Sequence, residues 1–144
     1  MFRNTILSLA AAMLICGAVI GAARAETNQA NVEHATKAAA AWLKLVDDGN
    51  YRASWEQAST LFKGHVTEQE WEQKLGAARK PLGNLVSRKL RIAQYATSLP
   101  GAPDGQYVVI EYDSSFVNKK SAVESVTPMI DKDGGWHVSG YYIR

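Results

Sequence analysis

Apolar residues recur at three- and four-residue intervals through the first part of the chain and at alternate positions through the last part, so helices are expected first and strands afterwards. Between Asn31 and Val46, the residues Val32, Ala35, Ala39, Trp42, Leu43 and Val46 form one helical stripe, and Gly49 supplies the stop. Trp55, Ala58 and Phe62 repeat the spacing and predict a second helix from Tyr51 to Phe62, antiparallel to the first, with Gly64 at its C-terminal side. Thr67 and Glu70 have the form of a capping box, opening a third helix that carries Trp71, Leu75 and Ala78 until Pro81 ends it.

After Pro81-Leu82-Gly83 the period changes. Strands are predicted over Leu85 to Tyr95, Gln106 to Val117, Ala122 to Ile130 and Trp136 to Ile143. A loop from Leu99 to Gly105, a tight turn at Asn118-Lys119 and a turn from Asp131 to Gly135 connect them, and such short connections make neighbours antiparallel. Helices followed by strands, without strand–helix–strand alternation, give an α+β domain: three N-terminal helices packed on a four-stranded antiparallel meander. Pro128 has no N–H to give a ladder, so a bulge or an unpaired edge position is expected there.

The N-terminus has a different character. Arg3, an apolar run from Ile6 to Ile20 and the small-x-small sequence Ala23-Arg24-Ala25 have the form of a secretory signal peptide over residues 1–25, cleaved after Ala25. Residues 26–144 would then be a single domain in the periplasm or outside the cell, with no membrane span left. Leu14 and Ile15 precede Cys16, where a lipoprotein leader would carry small residues, so lipidation is not expected. Removal of Cys16 leaves no cysteine for disulfides, thiolate metal sites or thiol nucleophiles. Loss of Arg3 and Arg24 also takes away the net charge of +2. A neutral domain lacks the bulk attraction that nucleic acids or anionic membranes need, so no nucleic-acid partner is expected.

Candidate chemistry is sparse. Asp131, Asp133 and Gly134 echo the start of a calcium loop, but no glutamate closes it and Trp136 opens a strand instead. His34, His65 and His137 lack ligand spacing, and no Gly-x-Ser-x-Gly elbow exists, so no metal, cofactor or catalytic nucleophile is assigned. A two-residue turn at Asn118-Lys119 would place Asp113 opposite Glu124, with Tyr142 beside Glu124 on the same face. Two such acids would lie in solvent, gain a basic partner such as Arg88 or Lys119, or have one pKa raised for acid–base work. The same register divides apolar residues between both sheet faces: Tyr107, Val109, Val126, Ile130, Trp136 and Val138 on one, Val108, Ile110, Tyr112, Phe116, Val123 and Ile143 on the other. A sheet apolar on both sides curves around a pocket or docks a partner. The basic strip Arg79-Lys80 and Arg88-Lys89 with Arg91 reads as a solvated strand edge.

Longer stretches carry a resemblance. Trp42-Leu43, Gly49-Asn50-Tyr51, Ser54-Trp55, Trp71, Arg79-Lys80-Pro81-Leu82-Gly83 and Ser87-Arg88 are continued by Leu99 to Tyr107, Phe116, Glu124 and Gly135 to Tyr142. Over nearly all of residues 26–144 this pattern resembles the secreted bacterial family called domain of unknown function 4019, which implies a location and an architecture and no assigned activity. The order of elements is similar to the cystatin-like or nuclear-transport-factor-2-like cone, a likeness of shape that does not transfer function. Such a cone encloses a pocket, around which Trp55, Arg79, Arg88, Glu124 and Trp136 form the candidate ligand-binding set.

Three readings follow. The first is a non-catalytic module for an unknown small ligand or an envelope protein. The second is a cofactor-free enzyme with Glu124 or Asp113 as general base and Arg88 or a tyrosine hydroxyl steadying negative charge. The third is an assembly subunit of the envelope, which requires an exposed apolar sheet face.

Overall fold

Gly49 ends the first helix as its sequence position predicts. With φ at +78° it lets Asn50 N–H reach Leu45 O at 2.8 Å while its own N–H reaches Val46 O at 3.1 Å, the paired bonds of a Schellman stop. The computed structural model describes residues 16–144, with side chains from Ile20 onward. The first fifteen residues of the expected leader lie outside the described residues. Helix α1 runs over Cys16–Asp47, well before the predicted start at Asn31. Alanine-rich sequence favours helix without tertiary support, and residues 20–27 are exposed throughout. Among the described side chains, Val32 is the first apolar one packed on the core.

The predicted second helix is two helices, α2 (Tyr51–Glu56) and α3 (Thr60–His65). Ser59 breaks them apart: its backbone is extended, its hydroxyl caps Phe62 N–H, and its own N–H donates to Val138 O on the last strand. α4 (Glu68–Arg79) opens on the expected capping box, with Thr67 and Glu70 bonded reciprocally. A 3-10 turn over Lys80–Leu82 leads to the sheet. Four helices and this turn therefore stand where three helices were expected.

Strands β1 (Leu85–Ala96), β2 (Tyr107–Phe116), β3 (Lys119–Ile130) and β4 (Trp136–Ile143) form an antiparallel meander in that order. α1 touches all four strands. Pro128 sits at a register shift between β3 and β4, as its missing N–H requires.

The β2–β3 register differs from expectation by one residue. The turn is Val117-Asn118, neither residue has positive φ, and the strands rejoin through a bulge between Ser114 and Phe116. Asp113 therefore pairs with Val123, and Glu124 with Tyr112. Because side chains alternate, that single step sends Asp113 to solvent and Glu124 inward. It also gathers Val108, Ile110, Tyr112 and Phe116 with Val126 and Val138 on one helix-covered face, correcting the division of apolar residues expected above.

Candidate functional site

Six side chains from six different elements meet beneath α1. Asp47 is the last residue of α1, Arg79 the last of α4, and Arg88, Ser114, Glu124 and Tyr141 come one each from β1, β2, β3 and β4. Glu124 is completely buried. Its Oε1 accepts from Arg88 Nε at 2.8 Å and from the Ser114 hydroxyl at 2.6 Å, and its Oε2 accepts from the Tyr141 hydroxyl at 2.5 Å. Asp47 accepts from Arg88 Nη1 and Nη2 at 2.7 and 2.9 Å and from Arg79 Nη2 at 2.8 Å. Arg79 also approaches Glu124 Oε2 at 3.8 Å and lies over the Phe116 ring, 4.8 Å from its centroid.

Two guanidinium and two carboxylate charges cancel, which is the condition under which ions survive burial. The Asp47 carboxylate faces the negative end of the α1 dipole, an unfavourable place that the two arginines compensate. Arg79 at the end of α4 is placed as the dipole prefers. Burial works against the charge of Asp47, but hydrogen bonds from Arg88 and Arg79 outweigh it and hold the carboxyl below its ordinary range. Burial likewise opposes the charge of Arg88 and Arg79, and their bonds to the carboxylates push both upward. Burial and then the Glu124 charge push the Tyr141 hydroxyl upward. None of these four groups shifts towards neutral pH.

Each oxygen of Glu124 and of Asp47 accepts at least one charge-assisted or short bond. Asp113, the other base considered, is exposed on the opposite face, and the pair is dissolved. Tyr142 is 61% exposed; its neighbour Tyr141 is the tyrosine that reaches Glu124. Arg79 and Arg88 are not a solvated edge, as the basic strip suggested, whereas Lys80, Lys89 and Arg91 are exposed.

Of the five residues expected around a pocket, the fold unites Arg79, Arg88 and Glu124. Trp55 packs at the helical layer and donates its indole N–H to Val66 O at 2.8 Å. Trp136 pairs with Ile130, about 20 Å along β3 from Glu124 at 3.4 Å per residue. Between helices and sheet lie Trp42, Trp71, Phe62 and Tyr141, whose rings meet tilted or edge-to-face at centroid distances between 4.9 and 6.4 Å. Buried Ser54 ties three helices together, receiving Trp71 Nε1 on its hydroxyl and Trp42 Nε1 on its carbonyl. An open cleft of about 280 Å³ lies beside the network, lined by Asp47, Arg79, Lys80 and Asn84 among others. Two further open clefts, about 400 and 420 Å³, border α3.

Sequence reasoning missed Asp47, Ser114 and Tyr141. The signal for Asp47 was present: an acid in the last turn of a helix opposes the dipole and needs a cation. The Asp131 carboxylate accepts from Thr60 N–H and hydroxyl and so anchors α3. Among the described residues no group of three His, Cys, Asp or Glu side chains is placed to hold a metal ion.

The family described as "Protein of unknown function (DUF4019)" matches residues 38–141, which span the end of α1, the network and almost all of β4. The chain belongs to that family. No curated protein and no solved structure matches the chain. Within this DUF4019 domain, all six network residues fall inside the matched region.

Proposed function

We propose that the chain is a secreted or periplasmic module that binds another protein and performs no reaction. The observation that carries this reading is the neutral network in which every carboxylate oxygen accepts a hydrogen bond: the most polar place in the interior is spent on holding six elements in register. It supports a structural role for Arg79, Arg88 and Glu124 over the ligand-binding role expected of them, and it speaks against Glu124 as a general base. Exposed Val86, Leu90, Ile92 and Tyr142 on the sheet favour a protein partner over a small ligand. Register shifts between every pair of strands bend the sheet, which supports the cone-like reading of the fold.

The location rests on the leader. Residues 20–25, the described side chains ahead of a cleavage after Ala25, are all exposed, so their removal would cost the domain no buried contact of theirs. Among the described residues no helix is long and apolar enough to cross a membrane.

The test is expression of the full chain in a bacterial host, followed by native mass spectrometry of the periplasmic product. A chain beginning at Glu26 that carries a second polypeptide, or is bare and captured by crosslinking in the envelope, supports the reading. A stoichiometric small-molecule adduct that leaves on denaturation overturns protein binding, and retention of residues 1–25 overturns the location.

A further inference from the structure

The two edges of the sheet are treated differently. The β4 edge is covered around Val138, where Ser59 N–H donates to the Val138 carbonyl and α3 packs against the strand. β1 has β2 as its one neighbour, so along its other side the backbone N–H and C=O groups of a 12-residue strand have no strand to pair with. Val86, Leu90 and Ile92 on this edge expose 65%, 48% and 46% of their surface. Register shifts at Val86 and Arg91 interrupt the edge but leave Ile92 to Ala96 in regular pairing with β2, and therefore straight enough to accept another strand.

Charge selects what kind of strand. β1 contains Arg88, Lys89 and Arg91 and no acid. Arg88 is spent inward, while Arg91 is half-exposed and reaches Glu111 only at 3.9 Å. Lys80, Lys119 and Lys120 add to Lys89 at the same end of the sheet, because the β2–β3 turn packs on the 3-10 segment through Asn118 N–H to Leu82 O. Among the described residues none of these four lysines makes an ion pair, and all are exposed. Antiparallel pairing of β1 with itself about Leu90 would set Lys89 against Arg91, and like charges directly opposed destabilise a sheet, so the charged half of this edge disfavours a second copy.

We infer that β1 is a docking edge to which a partner protein adds an extended, acidic segment as a fifth strand. This rests on the protein-binding reading above and names the face and the chemistry of the partner. Backbone bonds supply affinity, and because the irregularity at Arg91 leaves Lys89 and Ile92 on the outer face and Leu90 on the inner one, the carboxylates of the segment meet Lys89 and its apolar positions meet Leu90.

The probe is a short peptide alternating Glu with Val and Thr, offered to the secreted chain, with a peptide carrying Lys for Glu as its control. Hydrogen exchange is expected to show new protection in Ile92 to Ala96, binding that weakens as salt is raised, and about tenfold or greater loss in Lys89→Glu. Leu90→Thr provides a second, uncharged lesion, and unchanged melting of both variants separates lost docking from lost fold. Equal binding of the Lys peptide, protection elsewhere, or a β1-to-β1 dimer overturns the inference. So does binding of anionic phospholipid vesicles through Lys89 in place of the peptide. Peptide failure alongside a captured protein partner removes only the edge assignment, whereas a small-molecule adduct removes the underlying reading.

Discussion

The interior has an apolar half and an ionic half, and Tyr141 belongs to both. Its ring packs on Trp42 and Trp71, and its hydroxyl donates to Glu124. The apolar half is held by burial, which is non-directional and tolerates change of shape at constant volume. The ionic half depends on donors and acceptors placed to within a few tenths of an ångström, and a one-residue slip of any strand would expel a charge to the wrong face or strand its partner. The first half makes the domain collapse, and the second selects one register among those that collapse permits.

The largest expected difference between the halves comes from shape-conserving substitutions. Leu43→Met in the apolar half should cost less than about 1.5 kcal/mol. Glu124→Leu removes one partner from a buried, balanced set and should cost about 3–5 kcal/mol in urea denaturation. Restoring neutrality with Arg88→Met in the same chain leaves the Asp47–Arg79 pair intact. The double variant should then cost less than the sum of its single changes, by about 0.5–3 kcal/mol. Equal losses for Leu43→Met and Glu124→Leu, or strict additivity in the double, would show that the network does not act as a unit.

A smaller contrast sets two tyrosines against each other. Tyr141 and Tyr112 both present hydroxyls to the ionic half, and burial pushes both upward in pKa. Tyr141 donates to a carboxylate, whereas the Tyr112 hydroxyl is buried without a hydrogen-bond partner among the described residues. Tyr141→Phe should therefore lose about 1.5–3 kcal/mol, the range for a bond to a charged group, and Tyr112→Phe should be neutral or stabilising. Thermal melts of the two variants side by side decide it, and the reverse order would falsify the assignment of Tyr141 as the donor.

The apolar half is also the half that the sequence discloses. Helical spacing identifies Val32 through Val46 and period-two spacing marks the four strands, because burial leaves a periodic record, while the pairing of Thr67 with Glu70 marks the cap of α4; the face each strand residue takes is not in that record. Ser59 broke the second helix against that record: Trp55, Ala58 and Phe62 keep helical spacing across the break, and only the bond from Ser59 to Val138, distant in sequence, shows why. The ionic half leaves no periodic trace. Its residues come from six elements, and their meeting depends on a register that the Val117-Asn118 turn and its bulge decide. Arg79, Arg88 and Glu124 are singled out together only through the likeness to a pocket-bearing cone, and that Asp47 and Tyr141 complete them is a property of the assembled fold.

The comparison reaches pH as well, where it yields its smallest effect. Asp47 titrates below its ordinary range, and Arg79, Arg88 and Tyr141 above theirs, so these groups hold their charge states across neutrality and contribute a flat profile there. The hairpin between β3 and β4 behaves otherwise. His137 Nε2 lies 2.8 Å from Asp133 Oδ2 and Nδ1 lies 3.1 Å from Gln57 O. Neither a carboxylate nor a carbonyl can donate, so only the doubly protonated ring satisfies both contacts. Burial opposes that charge, but the bonds to Asp133 and Gln57 outweigh it and raise the pKa above 6.5, with Asp131 adding to the effect. A group whose folded pKa exceeds its unfolded value gives its full stabilisation below the unfolded value and loses it as pH rises through the folded one. Stability should thus decline as pH is raised from about 6.5, by less than about 1 kcal/mol because the ring is partly solvated. His137→Gln should flatten that slope and also reduce the acid limb, since the His137 charge helps to hold Asp133 and Asp131 below their ordinary range, and their contribution is lost as pH falls through their own values. Urea midpoints across the neutral range measure both limbs, and a slope that persists in His137→Gln would place the titrating group elsewhere.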